Sequence, residues 1–222
     1  MTQLEEKLGY AFHDKSLLEH ALMHSSYTNE RHMPATACYE RLEFLGDSIL
    51  GMITAEYLFR NEPTMPEGKM TRLRAELVCE RSLVVTADEL GLGEWLMLSH
   101  GEIATGGRDR ASIKADVVES ILAAVYLDSG FAEVKKIIDR FILSRIKQVE
   151  ADSRDYKTEL QEILQRSGPQ KITYGLVEST GPDHDKHFVA AVYLNDKEIG
   201  RGEGRSKKRA EQDAAKNAIS AL

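Results

Sequence analysis

The sequence predicts two domains of different fold class, an all-α domain followed by a smaller α-β-β-β-α domain. Apolar residues recur at helical spacing throughout residues 1–149, and no part of that stretch alternates as a strand would. Residues 150–155 form a short polar stretch with the composition of a linker. From residue 156 to residue 222 the spacing changes, and segments rich in β-branched and aromatic residues follow.

The all-α prediction depends on a series of amphipathic segments. In chain order they cover residues 4–10, 15–23, 36–60, 67–89, 111–128 and 131–149. Pro63, Pro66 and Gly68 separate two of them, because proline and glycine interrupt regular structure. The stretch HGEIATGGRDR, residues 100–110, is expected to be a polar loop.

The second domain is predicted to contain two helices and three strands. The predicted elements are a helix over 158–166, strands over 171–179, 187–195 and KEIGRGEG, and a final helix over 206–222. Asn195 and Asp196 favour a tight turn between the last two strands. Ser206 has the side chain of a good N-cap for the last helix.

Charge is unevenly distributed along the 222 residues, whose formal net charge is −7. Residues 155–222 carry 11 basic and 11 acidic side chains, so the excess of acid belongs to residues 1–154. Within the neutral part, GRSKKR (204–209) concentrates cations, and such a local patch can bind phosphates whatever the total charge.

The chain shows no sign of secretion or membrane insertion in its composition. Cys38 and Cys79 are too few for a disulfide framework, so a reducing cytoplasm is the expected location. The first residues lack the pattern of a signal peptide, and no apolar run approaches the length that spans a membrane.

Two groups of acids, one of three residues and one of two, lie inside otherwise apolar helical segments. ERLEFLGDSIL (40–50) carries Glu40, Glu43 and Asp47 on one helix face, and KADVVESILAAVYLD carries Asp116 and Glu119. Side by side, these helices would bring four or five carboxylates together and raise their pKa values. A divalent cation removes that conflict, and oxygen ligands suit Mg²⁺ or Mn²⁺.

Spacing alone leaves alternatives open, because acids at helical spacing usually form a solvated face. Gly46 inside the first acidic helix costs about 1 kcal/mol against alanine, which indicates a close backbone approach by another element. A di-iron site would need Glu-x-x-His, and neither Glu43 nor Glu119 is a histidine. The pattern therefore predicts a possible site for a hard metal.

The segment ERLEFLGDSIL (40–50) resembles the signature of bacterial ribonuclease III. Further resemblances to that family, in chain order, are ALMHSSYTNE (21–30), EGKMTRLRAELV (67–78), GGRDRASIKADVVESILAAVYLDSG (106–130) and, in its double-stranded-RNA-binding domain, DYKTELQEILQ, GPDHDKHF and GEGRSKKRAEQDAA. The resemblance covers nearly the whole chain. It implies a Mg²⁺-dependent endonuclease domain followed by an RNA-binding domain.

The resemblance also implies roles for individual acids. The four carboxylates expected to hold the catalytic Mg²⁺ ions, with Mn²⁺ as a substitute, are Glu43, Asp47, Asp116 and Glu119. Asp47 and Glu119 are the expected catalytic acids, and loss of Glu119 is expected to damage cleavage most. Glu40 and Glu67 are expected to support the site. The metal would activate water for attack on the phosphodiester and stabilise the leaving 3′ oxygen.

Family resemblance further implies a homodimer in which Phe44 plugs the partner subunit and each acid cluster cuts one RNA strand. The expected products carry 5′-phosphate and 3′-hydroxyl ends with short 3′ overhangs. Expected roles are the processing of ribosomal, messenger and transfer RNA and RNA turnover, in the cytoplasm. No organic cofactor and no membrane partner are expected.

The implied RNA contacts of the second domain suit A-form RNA, which proteins read through its shape, 2′-hydroxyls and phosphates. They are Thr158, Gln161, Glu162 and Gln165 on one helix face, His184 in a loop, and Ser206, Lys207 and Lys208 at the last helix. Cations at a helix N-terminus oppose the helix dipole, and a bound phosphate offsets this. An ordinary exposed helix face is the alternative for the first group.

Two further features leave their interpretation open. Arg108 and Arg110 lie before the second acidic helix, where they could contact RNA backbone or belong to a solvated loop. Lys114 replaces the apolar residue usual in this family, and exposure, pairing with an acid or RNA contact are all compatible with it. Asp183 and Asp185 add negative charge to a loop expected to contact RNA.

Two rival functions remain beside the nuclease. One is a non-catalytic regulator that binds double-stranded RNA, and a degenerate binder would be expected to have lost at least one of the four acids. The other is a structural component of a larger RNA–protein assembly, which would need an obligate partner for solubility.

Overall fold

The structure is a computed structural model that describes residues 2–153, 155–166, 168–182 and 186–222. The chain divides into two units, Met1–Ser153 and Arg154–Leu222. The first is helical, and the second combines two helices with a three-stranded antiparallel sheet, so the predicted fold class is confirmed. Among the described helices, none has both the length and the apolar character needed to cross a membrane.

Ten α-helices make up the described part of the first unit. They are α1 (Thr2–Leu8), α2 (Lys15–Ala21), α3 (Ser25–Glu30), α4 (Glu40–Asn61), α5 (Glu67–Val78), α6 (Glu80–Leu90), α7 (His100–Ala104), α8 (Ala111–Ser129), α9 (Phe131–Phe141) and α10 (Ile146–Ser153).

Several boundaries differ from the sequence prediction. The helix expected over 67–89 is divided at Cys79, whose extended backbone (φ −70°, ψ 157°) separates α5 from α6. The expected loop 100–110 contains α7 and a 3-10 turn, and α3 was not predicted. Helix α10 continues through residues 150–153, which were expected to be linker.

Helices α4 and α8 pack side by side at the centre of the first unit. Helix α8 is apolar almost all round and buries ten residues between Ile113 and Val125, as expected of a helix enclosed by others. Leu50 and Ile53 of α4 are completely buried against the same core. Each such side chain contributes about 1.5–3 kcal/mol of transfer free energy, so the axis of α4 is firmly held.

The far end of α8 is anchored by one carboxylate. Asp128 is only 3% exposed and accepts hydrogen bonds from the Tyr10 hydroxyl (2.5 Å) and the backbone N–H groups of His13 (2.8 Å) and Asp14 (2.9 Å). Burial alone would raise the pKa of Asp128, but these hydrogen bonds outweigh it and hold that pKa well below its ordinary value. The N-terminal segment is thereby tied to α8.

The second unit has the predicted α-β-β-β-α order. Its elements are α11 (Tyr156–Gln165), β1 (Ile172–Thr180), β2 (His187–Leu194), β3 (Lys197–Gly204) and α12 (Lys207–Ser220). The strands pair antiparallel in the order β1-β2-β3. Asn195 and Asp196 have φ values of +48° and +68°, so the predicted tight turn is confirmed.

Alternate glycines of β3 let α12 pack directly on the sheet. A Cβ atom added at Gly202 would lie 2.1 Å from the backbone nitrogen of Ala214, and Gly200 and Gly204 are almost as close to α12. The facing side of α12 is a row of buried alanines. This backbone-to-backbone contact fixes where the N-terminus of α12 lies over the sheet.

Candidate metal centre and nucleic-acid interface

Gly46 is the point at which α4 and α8 touch. A Cβ atom at this position would lie 1.9 Å from the carbonyl oxygen of Glu119 and 3.1 Å from its Cα atom. The close backbone approach predicted from a glycine inside this helix is therefore confirmed. Because the contact involves Glu119 itself, it brings the two predicted acid pairs to adjoining helix surfaces.

The four predicted metal-binding acids lie on α4 and α8, the two helices that meet at this contact. They are called the acid cluster from here on and comprise Glu43 and Asp47 of α4 and Asp116 and Glu119 of α8. Asp47 is exposed, whereas the other three are half-buried.

Glu119 carries the strongest sign of crowded negative charge. Burial, followed by the charges of Asp47, Glu43 and Asp116, raises the pKa of Glu119 to about 8. The pKa of Glu43 is raised as well, first by burial and then by the charges of Asp116, Glu40 and Asp47. Carboxylates held together in this way resist full ionisation, and a bound cation relieves their repulsion.

Asp116 has a protein partner within the cluster. Burial raises the pKa of Asp116, and the Tyr39 hydroxyl, 3.5 Å from its Oδ2 atom, opposes part of that effect. Tyr39 is 2% exposed, and burial followed by the charge of Asp116 raises the pKa of its own hydroxyl. The tyrosine therefore faces the acids as a protonated hydrogen-bond donor.

The two predicted supporting acids have different surroundings. Glu40 is exposed at the start of α4, and its charge contributes to the raised pKa values of Glu43 and Asp116. Glu67 is exposed at the start of α5 and accepts a hydrogen bond from the Thr71 hydroxyl (2.7 Å). Its role in the site stays a prediction.

An acid that sequence reasoning did not select also acts on the cluster. The charge of Glu80, at the start of α6, raises the pKa of Asp116. The predicted single helix over 67–89 placed Glu80 in a helix interior, whereas in the structure Glu80 is the first residue of α6. No local sequence signal marks this division.

The donor set of the acid cluster suits a hard divalent cation. It offers carboxylate oxygens without sulfur or imidazole, which is the ligand chemistry of Mg²⁺ and Mn²⁺. Within the part of the chain that the structure describes, no group of three acidic, histidine or cysteine side chains is placed to hold a metal ion. The acid cluster therefore matches the metal in its ligand chemistry, and metal binding stays a prediction.

Phe44 lies on the outer face of α4, opposite to the core. It is 79% exposed, and Met52 and Phe59 follow at helical spacing with 52% and 73% exposure. Large apolar side chains grouped on one helix face mark a surface for association. Phe44 therefore does not belong to the core of this unit, and its contact with a partner subunit stays a prediction.

The cations before α8 are engaged within the first unit. The Arg108 guanidinium donates to the carbonyl oxygens of Gly93, Glu94 and Leu96 at 2.6, 3.2 and 3.3 Å. These bonds hold the loop in place, so a contact between Arg108 and RNA stays a prediction that nothing here supports.

Two neighbouring cations pair with acids. Arg110 lies 2.5 Å from Glu102, and Lys114 lies 2.8 Å from Asp88, with only 13% of its side chain exposed. Exposure, pairing with an acid and RNA contact were the three options for Lys114, and the structure shows pairing with an acid. An RNA contact by Arg110 also stays a prediction.

A groove of about 550 Å³ crosses the second unit. Its lining residues are Asp155, Lys157, Thr158, Gln161, Gln165, Gln170, Ile172, Tyr174, Lys208 and Gln212. Four predicted RNA-binding residues, three from α11 and one from α12, thus share one surface. Glu162 is exposed but does not line this groove.

The two helices that flank the groove are tied together at their N-termini. Asp155 caps α11 by accepting hydrogen bonds from the backbone N–H (3.2 Å) and hydroxyl (2.8 Å) of Thr158, and it also accepts from Gln212 of α12 (2.9 Å). Gln212 in turn accepts from the backbone N–H of Lys157 (3.2 Å). These bonds fix the spacing between the polar face of α11 and the start of α12.

The start of α12 carries exposed cations. Ser206 caps the helix by accepting a hydrogen bond from the Arg209 backbone N–H (3.2 Å), which confirms the predicted cap. Lys207 and Lys208 are exposed, and neither forms an ion pair among the described residues. His184, with Asp183 and Asp185, lies outside the described residues.

Comparisons with known proteins match the two units of the chain to two family models. Residues 14–146 match the family model described as Ribonuclease-III-like, and residues 156–222 match the double-stranded RNA binding motif. A protein named Ribonuclease 3 from Oceanobacillus iheyensis is 47% identical over 220 residues, covering 99% of this chain and 96% of that protein. One from Caldanaerobacter subterraneus is 47% identical over 224 residues, covering 100% and 98%.

Solved structures resemble the first unit. A nuclease domain of ribonuclease III from Campylobacter jejuni, described with structural flexibility in a region involved in dimer formation, is 40% identical with a TM-score of 0.59. The match covers 64% of this chain and 95% of that one. A second structure of that domain is 37% identical with a TM-score of 0.58, covering 69% and 95%.

Proposed function

Because the chain belongs to the ribonuclease III family and is a double-stranded-RNA-specific endoribonuclease, we propose that the acid cluster binds the Mg²⁺ on which its activity depends. The single observation that carries this proposal is the contact of Gly46 with the Glu119 carbonyl, which brings the two acid pairs to adjoining helix surfaces. Mn²⁺ is the expected substitute, since it takes similar oxygen ligands.

The acid cluster would act mainly by binding and orienting the cation. When bound, the metal supplies an activated water and stabilises charge on the leaving oxygen. Asp47 and Glu119 are the proposed catalytic acids. Glu119, with a pKa of about 8, must lose its proton to become a ligand, so metal binding at neutral pH should release a proton.

We further infer that two copies of the chain associate through the exposed apolar face of α4. Phe44, Met52 and Phe59 supply exposed apolar side chains on one side of α4 that a second copy would cover. Two acid clusters in one dimer would cut the two strands of a duplex separately. The expected products have 5′-phosphate and 3′-hydroxyl ends with short 3′ overhangs.

The second unit is proposed to bind the RNA duplex. The groove beside α11 offers uncharged polar groups suited to the minor groove, and Lys207 and Lys208 offer cations for phosphates. In this proposal Thr158, Gln161, Glu162 and Gln165 contact the minor groove, and Ser206 contacts phosphate together with the two lysines. His184 is proposed to contact a second minor groove, on the resemblance alone.

The biological setting follows from the same proposal. A double-stranded-RNA endonuclease of this family is expected to process ribosomal, messenger and transfer RNA and to take part in RNA turnover. Cys38 and Cys79 are free thiols, which suits a reducing compartment such as the cytoplasm.

The experiment that tests the proposed function is cleavage of a long double-stranded RNA by the purified protein. Cleavage is measured with Mg²⁺, with Ca²⁺ and with EDTA, and RNA binding is measured on the same samples. Glu119→Gln should lose cleavage by at least about 100-fold with binding retained, whereas Glu133→Gln, at a half-buried position of α9 outside the acid cluster, should cut normally. Binding without cutting under any metal would favour the regulator instead.

A second experiment tests the proposed phosphate contacts. Lys207→Ala with Lys208→Ala should weaken RNA binding and reduce the slope of log K against log salt by about 1.8, because each phosphate contact contributes about 0.9. Lys197→Ala with Lys216→Ala removes the same charge elsewhere in the unit and serves as the matched control. Equal slopes for both double variants would remove the two lysines from the contacts.

A further inference from the structure

Tyr39 is held rigidly at the start of the first acidic helix. Its side chain is 2% exposed, and its backbone N–H donates to the Met23 carbonyl at 2.8 Å. Its own carbonyl accepts from the backbone N–H groups of Leu42 (2.8 Å) and Glu43 (2.9 Å). The residue is thus joined both to the segment before α3 and to the first turn of α4.

The side chain of Tyr39 extends from this anchor to the other acidic helix. Its hydroxyl lies 3.5 Å from Oδ2 of Asp116, and its ring lies 5.7 Å from the ring of His24 at an interplanar angle of 52°. His24 is fixed in turn, because its Nδ1 atom accepts from the Ser26 backbone N–H at 3.1 Å. The hydroxyl therefore has a defined direction.

Asp116 differs from the rest of the acid cluster because a protein side chain donates a hydrogen bond to it. In the described portion of the chain, Asp116 receives a side-chain hydrogen bond, whereas the side chains of Glu43, Asp47 and Glu119 receive none from the protein. A hydrogen bond from a fixed donor to one oxygen occupies one lone pair of that oxygen and restricts rotation of the carboxylate group. Tyr39 thus influences which oxygen of Asp116 is offered to a cation.

We propose that Tyr39 is a positioning residue for the metal-binding acids, acting through its hydrogen bond to Asp116. The proposal rests on the proposed function, in which Asp116 binds the cation. At 3.5 Å the hydrogen bond is weak, so its effect lies in orienting the carboxylate rather than in stabilising the fold. Residues that orient metal ligands from outside typically change metal affinity by about 10–100-fold when lost.

The test is direct titration of the full-length protein with Mn²⁺ by calorimetry, without RNA. Tyr39→Phe keeps the buried ring and removes only the hydroxyl, and it should raise the Mn²⁺ dissociation constant about tenfold. Tyr126→Phe removes an exposed hydroxyl from α8 and should leave the constant unchanged. Thermal unfolding of both variants should match that of the wild-type protein.

A double variant separates positioning from a general structural role. In an Asp116→Asn background, adding Tyr39→Phe should produce no further loss of Mn²⁺ affinity, because the group through which it acts has been altered. Wild-type affinity in Tyr39→Phe, or an equal loss in both backgrounds, would overturn the proposal. A wild-type protein that binds no Mn²⁺ would overturn the proposed function itself, and the role of Tyr39 with it.

Discussion

Replacing Gly46 by alanine is the sharpest perturbation of the acid cluster that leaves every carboxylate in place. The added Cβ atom would lie 1.9 Å from the Glu119 carbonyl oxygen, whereas carbon atoms rest about 3.5 Å or more from their neighbours. Helices α4 and α8 must therefore separate locally by about 1.5 Å. The atom in the way belongs to helix backbone, so no side-chain rotation can remove the clash.

The energetic expectation combines two opposing terms. Overpacking in a core costs typically about 1–3 kcal/mol, and a contact with rigid backbone belongs at the upper end of that range. Alanine in place of glycine returns about 1 kcal/mol of helix propensity. A net loss of about 2 kcal/mol corresponds to a fall in melting temperature of about 4–8 °C for a unit of this size.

The functional expectation is larger than the loss of stability. A displacement of about 1 Å in a catalytic arrangement can reduce the rate about 100-fold, and here the displaced elements carry the two halves of the acid cluster. The assay measures cleavage of double-stranded RNA, the Mn²⁺ dissociation constant and the melting temperature of Gly46→Ala. Gly68→Ala is the matched control, because a Cβ atom there meets nothing within 4 Å.

One result would refute this reasoning. If Gly46→Ala melts within about 1 °C of the wild-type protein and binds Mn²⁺ with unchanged affinity, the contact between Gly46 and Glu119 does not set the spacing of the two acid pairs. A variant that is stable but binds Mn²⁺ weakly would instead support it strongly.

Three further predictions concern other parts of the molecule. Gly202→Ala would bring a Cβ atom to 2.1 Å from the Ala214 backbone nitrogen, so the second unit should lose about 2 kcal/mol and RNA binding should weaken while the Mn²⁺ affinity stays unchanged, as chemical denaturation and two titrations would measure. Asp128→Asn should cost about 2 kcal/mol at pH 7, because Tyr10 and two backbone N–H groups donate to the buried carboxylate. The pKa of Asp128 is lowered in the folded state, so its contribution is complete above the ordinary carboxyl pKa of about 3.9 and is lost as the pH falls below it; a gap between variant and wild type that stays constant down to pH 2 would contradict this. Phe44→Asp should convert the proposed dimer into monomers in sedimentation experiments, and a dimer that survives the substitution would exclude this face of α4.

The longer helices and the whole second unit could be predicted from the sequence because their signals are local. Apolar spacing, the turn residues Asn195 and Asp196 and the cap residue Ser206 each describe a short stretch of chain. Helix α3 has no such signal. Its six residues depend on contacts from elsewhere, such as the hydrogen bond from the His100 backbone N–H to Glu30 (3.1 Å), so no local pattern indicates it.

The acid cluster could be predicted only in part, for a related reason. The spacing of its acids along each helix can be read from the sequence, and Gly46 indicates the contact between the two helices. Tyr39 and Glu80 reach the cluster through tertiary packing, and neither belongs to the same local pattern as the acids. For Arg108 the sequence suggested a possible contact with RNA, whereas in the structure its guanidinium donates to backbone carbonyls.

In both units a glycine allows two elements to pack backbone against backbone beside residues with a proposed function. Gly46 lets α8 approach α4 until backbone meets backbone, and Gly202 does the same for α12 and β3. Contacts of this kind leave little freedom to slide or rotate, because no flexible side chain lies between the elements. The groups that need exact placement are the acids beside Gly46 and the lysines at the start of α12. A larger residue at either glycine should therefore impair function more than it impairs folding, and the two effects should fall on separate steps: metal binding for Gly46 and RNA binding for Gly202.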